Sequence, residues 1–340
     1  SNPFFQIQMY PLRFQPSFRR YIWGGRRLAE VLSKSIGDEK AAESWEVVDH
    51  GDDQSIVQYG SHASRSLHDL LTEFGADLVG EQVWQRINDE KLPAALRQRF
   101  PLLLKFLDAN RDLSVQVHPD DTMGATLTPP DLGKTEAWYV LHADPGAKVY
   151  AGLKPGVTAE QFAAAIEAGN TEDLLHAFEA QAGDCIFVEA GTMHAIGAGL
   201  LVAEIQQASN TTFRVFDWNR VDDQGNSREL HIEQALAATN FGRGPVNPLP
   251  PQACDDPAWK TVVSCDQFTM RHGKLTENWT TCGDGKFRIF AVIGGSMSVQ
   301  NDPAESPLQL GDSTLLPACL GKTEIHVGSD GVELLEITIQ

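Results

Sequence analysis

Short strand-like runs separated by turn residues constrain the fold of this chain more than any other feature. Between residues 44 and 218 the segments SWEVVDH, SIVQYG, LSVQVH, EAWYVLHA, AKVYAGL, DCIFVEA, LLVAEIQQ and TTFRVFDW follow one another, bounded by Gly, Pro, Asn and Asp. Many short strands at this density predict a mainly β sandwich or barrel. Helical patterns interrupt them at about 64–98 and 158–180. The second of these opens with Thr158 and Gln161 in capping-box spacing, and Gly169-Asn170 predicts a break between two short helices. Such helices are expected to pack around a β core.

At 340 residues the chain is long enough for two domains, each with its own core. Four prolines fall within seven residues at 245, 248, 250 and 251, which reads as a linker or domain crossing. A second run of strands follows with almost no helical periodicity. The expected division is therefore 1–240 and 241–340, the latter a smaller β domain. A weak internal repeat supports two related domains: GDCIFVEAGTMH at 183–194 aligns with GDSTLLPACLGK at 311–322. The position of His194 is Lys322 in the second copy, so the first domain is expected to carry the chemistry.

A net charge of -19 argues against nucleic acid as a partner, because phosphate backbones are bound by basic surfaces. No apolar run approaches the roughly 20 residues of a membrane-spanning helix, and the N-terminus lacks a signal peptide's basic-then-apolar layout. The five cysteines are scattered and never spaced C-x-x-C, as expected of reduced thiols in the cytoplasm.

In LSVQVHPDD, residues 113–121, strand alternation turns Leu113, Val115 and Val117 one way and Ser114, Gln116 and His118 the other. Glu136 in GKTEAWYVLH and His194 in AGTMHAIG complete a candidate ligand set. Two imidazoles, a carboxylate and an amide oxygen suit zinc, and also manganese, iron, cobalt or nickel. Taken singly, none of the four is distinguishable from an ordinary core or surface residue.

The spacings add information. Gly183-x5-Glu189-Ala190-Gly191-x2-His194 resembles the second cupin motif, with Glu189 at its usual proline and Ala198 at its usual asparagine. QVH followed by Glu136 resembles the first, with Gln116 replacing a histidine and a longer gap. WGG at 23–25, AESWEVVDH at 42–50, FPLLLKFLDANRDLSVQVHPDD at 100–121, GKTEAWYVL at 133–141 and AGTMHAIGAGLLVAEIQQASNTTFRVFDWNR at 190–220 together resemble type I phosphomannose isomerase, in its compact bacterial form. That resemblance implies two cupin-type (jelly-roll) β-barrels with a few helices packed around the first, and one zinc ion per chain on Gln116, His118, Glu136 and His194. It implies an active-site arginine at Arg214, although Asn210-Thr211 stands where many members have Asp-Asn. It also implies interconversion of mannose 6-phosphate and fructose 6-phosphate through a cis-enediol, by a cytoplasmic monomer or homodimer.

That chemistry needs a base and cations. In LLVAEIQQ, Leu200, Val202, Glu204 and Gln206 share one strand face, which makes Glu204 the first candidate base. Ser114 shares the face of Gln116 and His118, Lys134 lies on the side of Glu136, and Lys105 sits among leucines where burial without a partner is costly. These three, with Arg214, are the expected contacts of a phosphosugar. Trp23, Trp45 and Gly24-Gly25 are expected to be architectural. Two other readings fit a site with two histidines and a carboxylate: a cupin oxygenase holding iron, and a non-catalytic phosphosugar-binding protein. Arg214, Lys134 and Lys105 favour the isomerase, because they suit an anionic substrate and a charged intermediate.

Overall fold

Alternating apolar residues build two antiparallel sheets in the stretch that carries the candidate ligands. The computed structural model describes residues 8–340. One sheet runs in the order Cys185–Val188, Glu136–Ala143, Leu200–Gln207, Leu102–Ala109, Glu43–Val47, Ser17–Arg19; the other runs Leu175–Glu179, Lys148–Leu153, His194–Ile196, Val115–Val117, Phe213–Phe216. Leu107, Val140, Ile186 and Val202 of the first meet Val149, Ala151 and Ile196 of the second in one buried cluster. Each of the Leu, Val and Ile side chains contributes about 1.5–3 kcal/mol by leaving water. Val115, Val117, Ala195 and Phe213 share a second cluster with Phe162 of the Ala159–Ala168 helix and Ala235 of the Ile232–Ala238 helix. Strand alternation therefore sends Val115 and Val117 to the helices, and Gln116 to the side between the sheets.

The Ala159–Ala168 helix starts with the predicted capping box of Thr158 and Gln161 and ends at Gly169 in the left-handed region, φ 71°. The second short helix expected after it does not form. Thr171–Leu174 is a single 3-10 turn, and Leu175–Glu179 is an edge strand in which Leu175 pairs with Leu153 and Phe178 with Val149. Tertiary pairing overrides a local pattern that reads equally well as helix.

The chain forms two compact units that are discontinuous in sequence, unlike the contiguous 1–240 and 241–340 division. One holds Ser17–Trp45 and Leu102–Pro250; the other holds Glu46–Pro101, Pro251–Gln340 and the described part of Ser1–Pro16. The crossing at Pro250 and Pro251 falls in the proline-rich segment. The helices Leu67–Phe74, Ala76–Val79 and Glu81–Ile87 lie in the unit of the C-terminal strands, not around the first β domain as expected. Specific contacts hold the 46–101 segment there: Arg86 of the third helix donates to the Asp266 carbonyl at 2.8 Å, and downstream the Phe100 and Phe287 rings are 5.0 Å apart. A Cβ on Gly80 would meet the Gly285 carbonyl oxygen at 2.5 Å, so this close approach requires glycine. In the same unit, an antiparallel bridge joins Leu12 to Leu315.

The internal repeat is a repeated turn. Gly183 N–H donates to the Val140 carbonyl and Val140 N–H to the Asp184 carbonyl, at 2.8 and 2.9 Å; Gly311, Val292 and Asp312 make the same pair of bonds, both at 2.9 Å. The two glycines have φ of 93° and 94°. Asp184 and Asp312 each accept the backbone N–H three residues earlier, from Gln181 and Gln309. Among the described residues no helix is long and apolar enough to cross a membrane.

Candidate active site

Strand register assembles the site from two facing rows. Across three strands of one sheet, His194 pairs with Gln116 and Gln116 with Arg214. In the other, Glu204 pairs with Lys105 on one side and with Trp138 on the other, and Gln206 pairs with Glu136.

His118, Glu136 and His194 offer ligand atoms within 4.8 Å of one another, and all three are buried. They are the one such His/Cys/Asp/Glu grouping among the described residues. His118 Nδ1 lies 3.0 Å from the Thr211 carbonyl and His194 Nδ1 2.8 Å from the Thr192 carbonyl. A carbonyl only accepts, so each Nδ1 carries a proton and each ring turns its Nε2 inward. Both Nε2 atoms face Oε1 of Glu136, at 3.5 Å from His118 and 3.2 Å from His194. Burial, reinforced by the Lys134 ammonium, pushes His118 down to about 3, so it is neutral throughout the physiological range. Burial alone would raise the Glu136 carboxyl, but Lys134 and the imidazoles outweigh it and hold the group well below the usual carboxylate range.

The Lys134 ammonium sits 2.5 Å from Glu136 Oε2 and 3.0 Å from His118 Nε2, so the triad already gathers around a positive charge. This donor set fits a divalent ion, because two lone pairs fixed by backbone acceptors and one ionised carboxylate are what such an ion requires. Gln116, beside His194, donates its amide to Ser114 O and Oγ at 3.2 and 3.3 Å, which leaves its carbonyl oxygen for a ligand role.

Next to the triad lies a row of buried charges. Glu204 Oε1 is 3.7 Å from Lys105 Nζ and 3.9 Å from Lys134 Nζ, and its Oε2 accepts the Trp138 indole N–H at 3.0 Å. Burial and the nearby Glu136 charge raise the Glu204 carboxyl above its ordinary value, against the pull of the two lysines. Lys105 does not reach the surface; it is 4% exposed and is kept charged by Glu43 and Glu204 despite its burial. The buried carboxylates Glu43, Glu136 and Glu204 exceed the buried lysines by one negative charge, an imbalance that a dication would reverse.

These groups line a cavity of about 320 Å³ with Ser114, Gln116, His194 and Arg214. Arg214 donates to Ser114 Oγ at 3.2 Å and to the Glu229 carbonyl at 3.0 Å. Burial and the neighbouring Arg228 lower its pKa. The structure thus brings together all nine residues singled out in the sequence. Trp23 also lines the cavity, while Trp45 lies beneath Lys105, 4.6 Å from its ammonium.

Sequence reasoning missed Glu43, Trp138, Asp131, Arg228 and His231. Trp138 alternates with Glu136, and Glu43 with Trp45, so period-two spacing alone would have nominated the first two. Asp131 carries no such signal. Its Oδ2 accepts from Ser209 Oγ, the Asn210 N–H and Thr211 Oγ1, at 3.2, 3.1 and 2.9 Å, and so fixes the loop whose Thr211 carbonyl orients His118.

Comparison with known proteins agrees with this geometry. Residues 11–134 match the model of the phosphomannose isomerase type I catalytic domain, and residues 258–329 match that of the mannose-6-phosphate isomerase cupin domain. Mannose-6-phosphate isomerase ManA of Bacillus subtilis (strain 168) is 33% identical over 317 residues, covering 93% of this chain and 96% of that protein. The mannose-6-phosphate isomerase of Streptococcus mutans serotype c is 35% identical over 308 residues, 90% of this chain and 92% of its own length. The crystal structure of the mannose 6-phosphate isomerase from Bacillus subtilis superposes with a TM-score of 0.84 at 29% identity, over 98% of this chain and 100% of that one. The chain belongs to the type I phosphomannose isomerase family.

Proposed function

We propose that the protein is a metal-dependent aldose-ketose isomerase that interconverts mannose 6-phosphate and fructose 6-phosphate. The observation that carries this reading is the placement of Glu204, a buried carboxylate between two lysines, in the cavity lined by Glu136 and His194 of the triad they form with His118. Gln116, His118, Glu136 and His194 would hold one zinc ion; the mixed N/O set also admits other divalent metals. When bound, such an ion supplies Lewis-acid polarisation of the sugar oxygens without redox chemistry.

The chain's own residues do the rest. Glu204 takes the proton from C2 of the open-chain aldose and returns it to C1, while a second proton passes from O2 to O1. The Trp138 N–H fixes one oxygen of Glu204 and so leaves the other to face the substrate. Lys134 and Arg214 stabilise the negative charge that develops on the enediol oxygens. Ser114, Lys105, Lys134 and Arg214 supply hydroxyl and cationic contacts to the phosphosugar.

The unit of Ser17–Trp45 and Leu102–Pro250 carries this chemistry as a cupin-type domain, and the C-terminal strands after Pro250 form a metal-free second cupin-type barrel; the cupin match at 258–329 and the repeated Gly-Asp turn support that pairing. The cysteines, none in a disulfide, support a cytoplasmic setting, and the net charge of -19 supports the absence of nucleic-acid and membrane partners. The protein acts as a monomer or homodimer, which light scattering measures.

The test is an aldose-to-ketose assay with mannose 6-phosphate on zinc-loaded protein, chelator-stripped protein and His118→Ala. Turnover that vanishes on stripping and in the variant, and returns to stripped wild type with metal, supports the isomerase. A loaded protein that turns over no hexose phosphate overturns it.

A further inference from the structure

The buried carboxylate of Glu43 has no place in the proton transfer just described, yet it lines the same cavity, where an anionic substrate would be repelled by it. Its surroundings resolve the conflict. Glu43 Oε2 accepts the Trp45 indole N–H at 2.6 Å and lies 3.5 Å from Lys105 Nζ. The ammonium is thus suspended between Glu43 at 3.5 Å and Glu204 at 3.7 Å, over the Trp45 ring at 4.6 Å. Glu43, Lys105, Glu204 and Trp138 stand on four adjacent strands, so the charges alternate in sign along a line set by the sheet.

We propose that Glu43 is a positioning residue for the isomerisation: its carboxylate, anchored by the Trp45 N–H, holds the Lys105 ammonium off Glu204 and available to the substrate. The inference rests on the reading of the cavity as an isomerase site. A lysine side chain turns about four carbon-carbon bonds, so its ammonium can follow a single attractive partner into a closed ion pair. With Glu204 as its only carboxylate neighbour, Lys105 would close on the base and lower its proton affinity. A second carboxylate on the opposite side divides the attraction, and the aromatic face beneath limits sideways movement. The Trp45 N–H keeps Glu43 itself from following the ammonium.

A double-mutant cycle between Glu43→Gln and Lys105→Met tests this. Glu43→Gln is expected to lower kcat/KM by at least about tenfold in the wild-type background and by less than about twofold when Lys105 is already Met. The loss should fall on the same parameter, kcat or KM, that Lys105→Met moves, with bound metal unchanged. Trp45→Phe, which keeps the ring and removes only the N–H, should give a smaller loss on that same parameter and provides an independent measurement should either cycle variant fold poorly. Equal losses in both backgrounds, or a Glu43→Gln protein within about twofold of wild type, would overturn the positioning role while leaving the isomerase intact. A wild-type protein without isomerase turnover instead overturns the reading of the site, and this inference with it.

Discussion

His118 and His194 converge on one oxygen, Oε1 of Glu136, at 3.5 and 3.2 Å, with each ring locked by its other nitrogen to a backbone carbonyl. The two rings are tilted by 52° with centroids 4.9 Å apart. Removing either ring takes away a lone pair that no neighbour replaces. His194→Ala is therefore expected to weaken zinc binding by more than about 100-fold, beyond the usual effect of losing an outer-shell partner. Equilibrium dialysis with metal analysis measures this; a variant that retains one zinc per chain at wild-type affinity would remove His194 from the ligand set.

The Asp131 carboxylate acts one step further out. It gathers three donors from Ser209, Asn210 and Thr211, and the Thr211 carbonyl then receives the His118 Nδ1–H. Asp131→Ala should leave the buried Ser209 hydroxyl and its two less buried neighbours without their acceptor, costing about 1–3 kcal/mol of stability. It should also lower metal affinity about 10–100-fold by freeing the His118 ring. Urea unfolding and zinc titration of the same variant separate the two effects, and an Asp131→Asn protein should recover part of both. Unchanged metal affinity in a destabilised variant would restrict Asp131 to holding the loop.

The ligand face was legible because it depends on period two. Of Ser114, Gln116 and His118, only Gln116 lies within the strand Val115–Val117; the other two flank it, and Lys134 precedes the strand that opens at Glu136. The alternation thus carried just past the strand ends, although Leu113, expected on the opposite face, lines the cavity with Ser114 and Gln116. Glu204 was readable as a residue on a face but not as an inward one, since alternation does not say which side is the core. Trp138 and Glu43 followed the same rule and went unread for want of a chemical reason to look. Asp131 and the unit that collects residues 46–101 with the C-terminal strands depend on contacts between segments far apart in sequence, such as Phe100 with Phe287, and no local pattern encodes those. The edge strand Leu175–Glu179 shows the same limit, where pairing with Leu153 and Val149 decided between two locally acceptable conformations.

As the proposed base, Glu204 must be ionised to accept a proton, and its carboxyl is raised by burial and by the Glu136 charge. As pH falls, a carboxyl raised by burial protonates earlier than an exposed glutamate, so the acid limb of kcat/KM should lie at a higher pH than an exposed glutamate base would give. Glu204→Gln should keep the Trp138 hydrogen bond, lower kcat by about 10²–10⁴-fold and abolish solvent deuterium uptake into the sugar. A pH-rate profile and proton NMR of the product in deuterated water give both readouts. Persistent deuterium exchange in Glu204→Gln would assign the base to another residue.

His62 lies far from this chemistry in sequence and supplies a separate pH dependence, one of stability. It is 1% exposed, stacked on Tyr10 with ring centroids 5.3 Å apart and edge-on to Phe74 at the same separation. Its Nδ1 is 3.4 Å from the Arg65 guanidinium, and its Nε2 has no hydrogen-bond partner among the described residues. Burial, then Arg65, lowers its pKa below 6.5, with Glu73 opposing. Because the unfolded chain takes up this proton first, the contribution of neutral His62 to stability is complete above about pH 6.5 and is lost as pH falls toward the lowered folded value. His62→Phe preserves a flat ring between Tyr10 and Phe74 and cannot titrate. Urea midpoints measured at pH 7.5 and 5.5 should therefore fall more for wild type than for His62→Phe over that interval. Parallel declines in the two proteins would mean that His62 gains a partner for its proton in the acid form, and that other groups account for the acid lability.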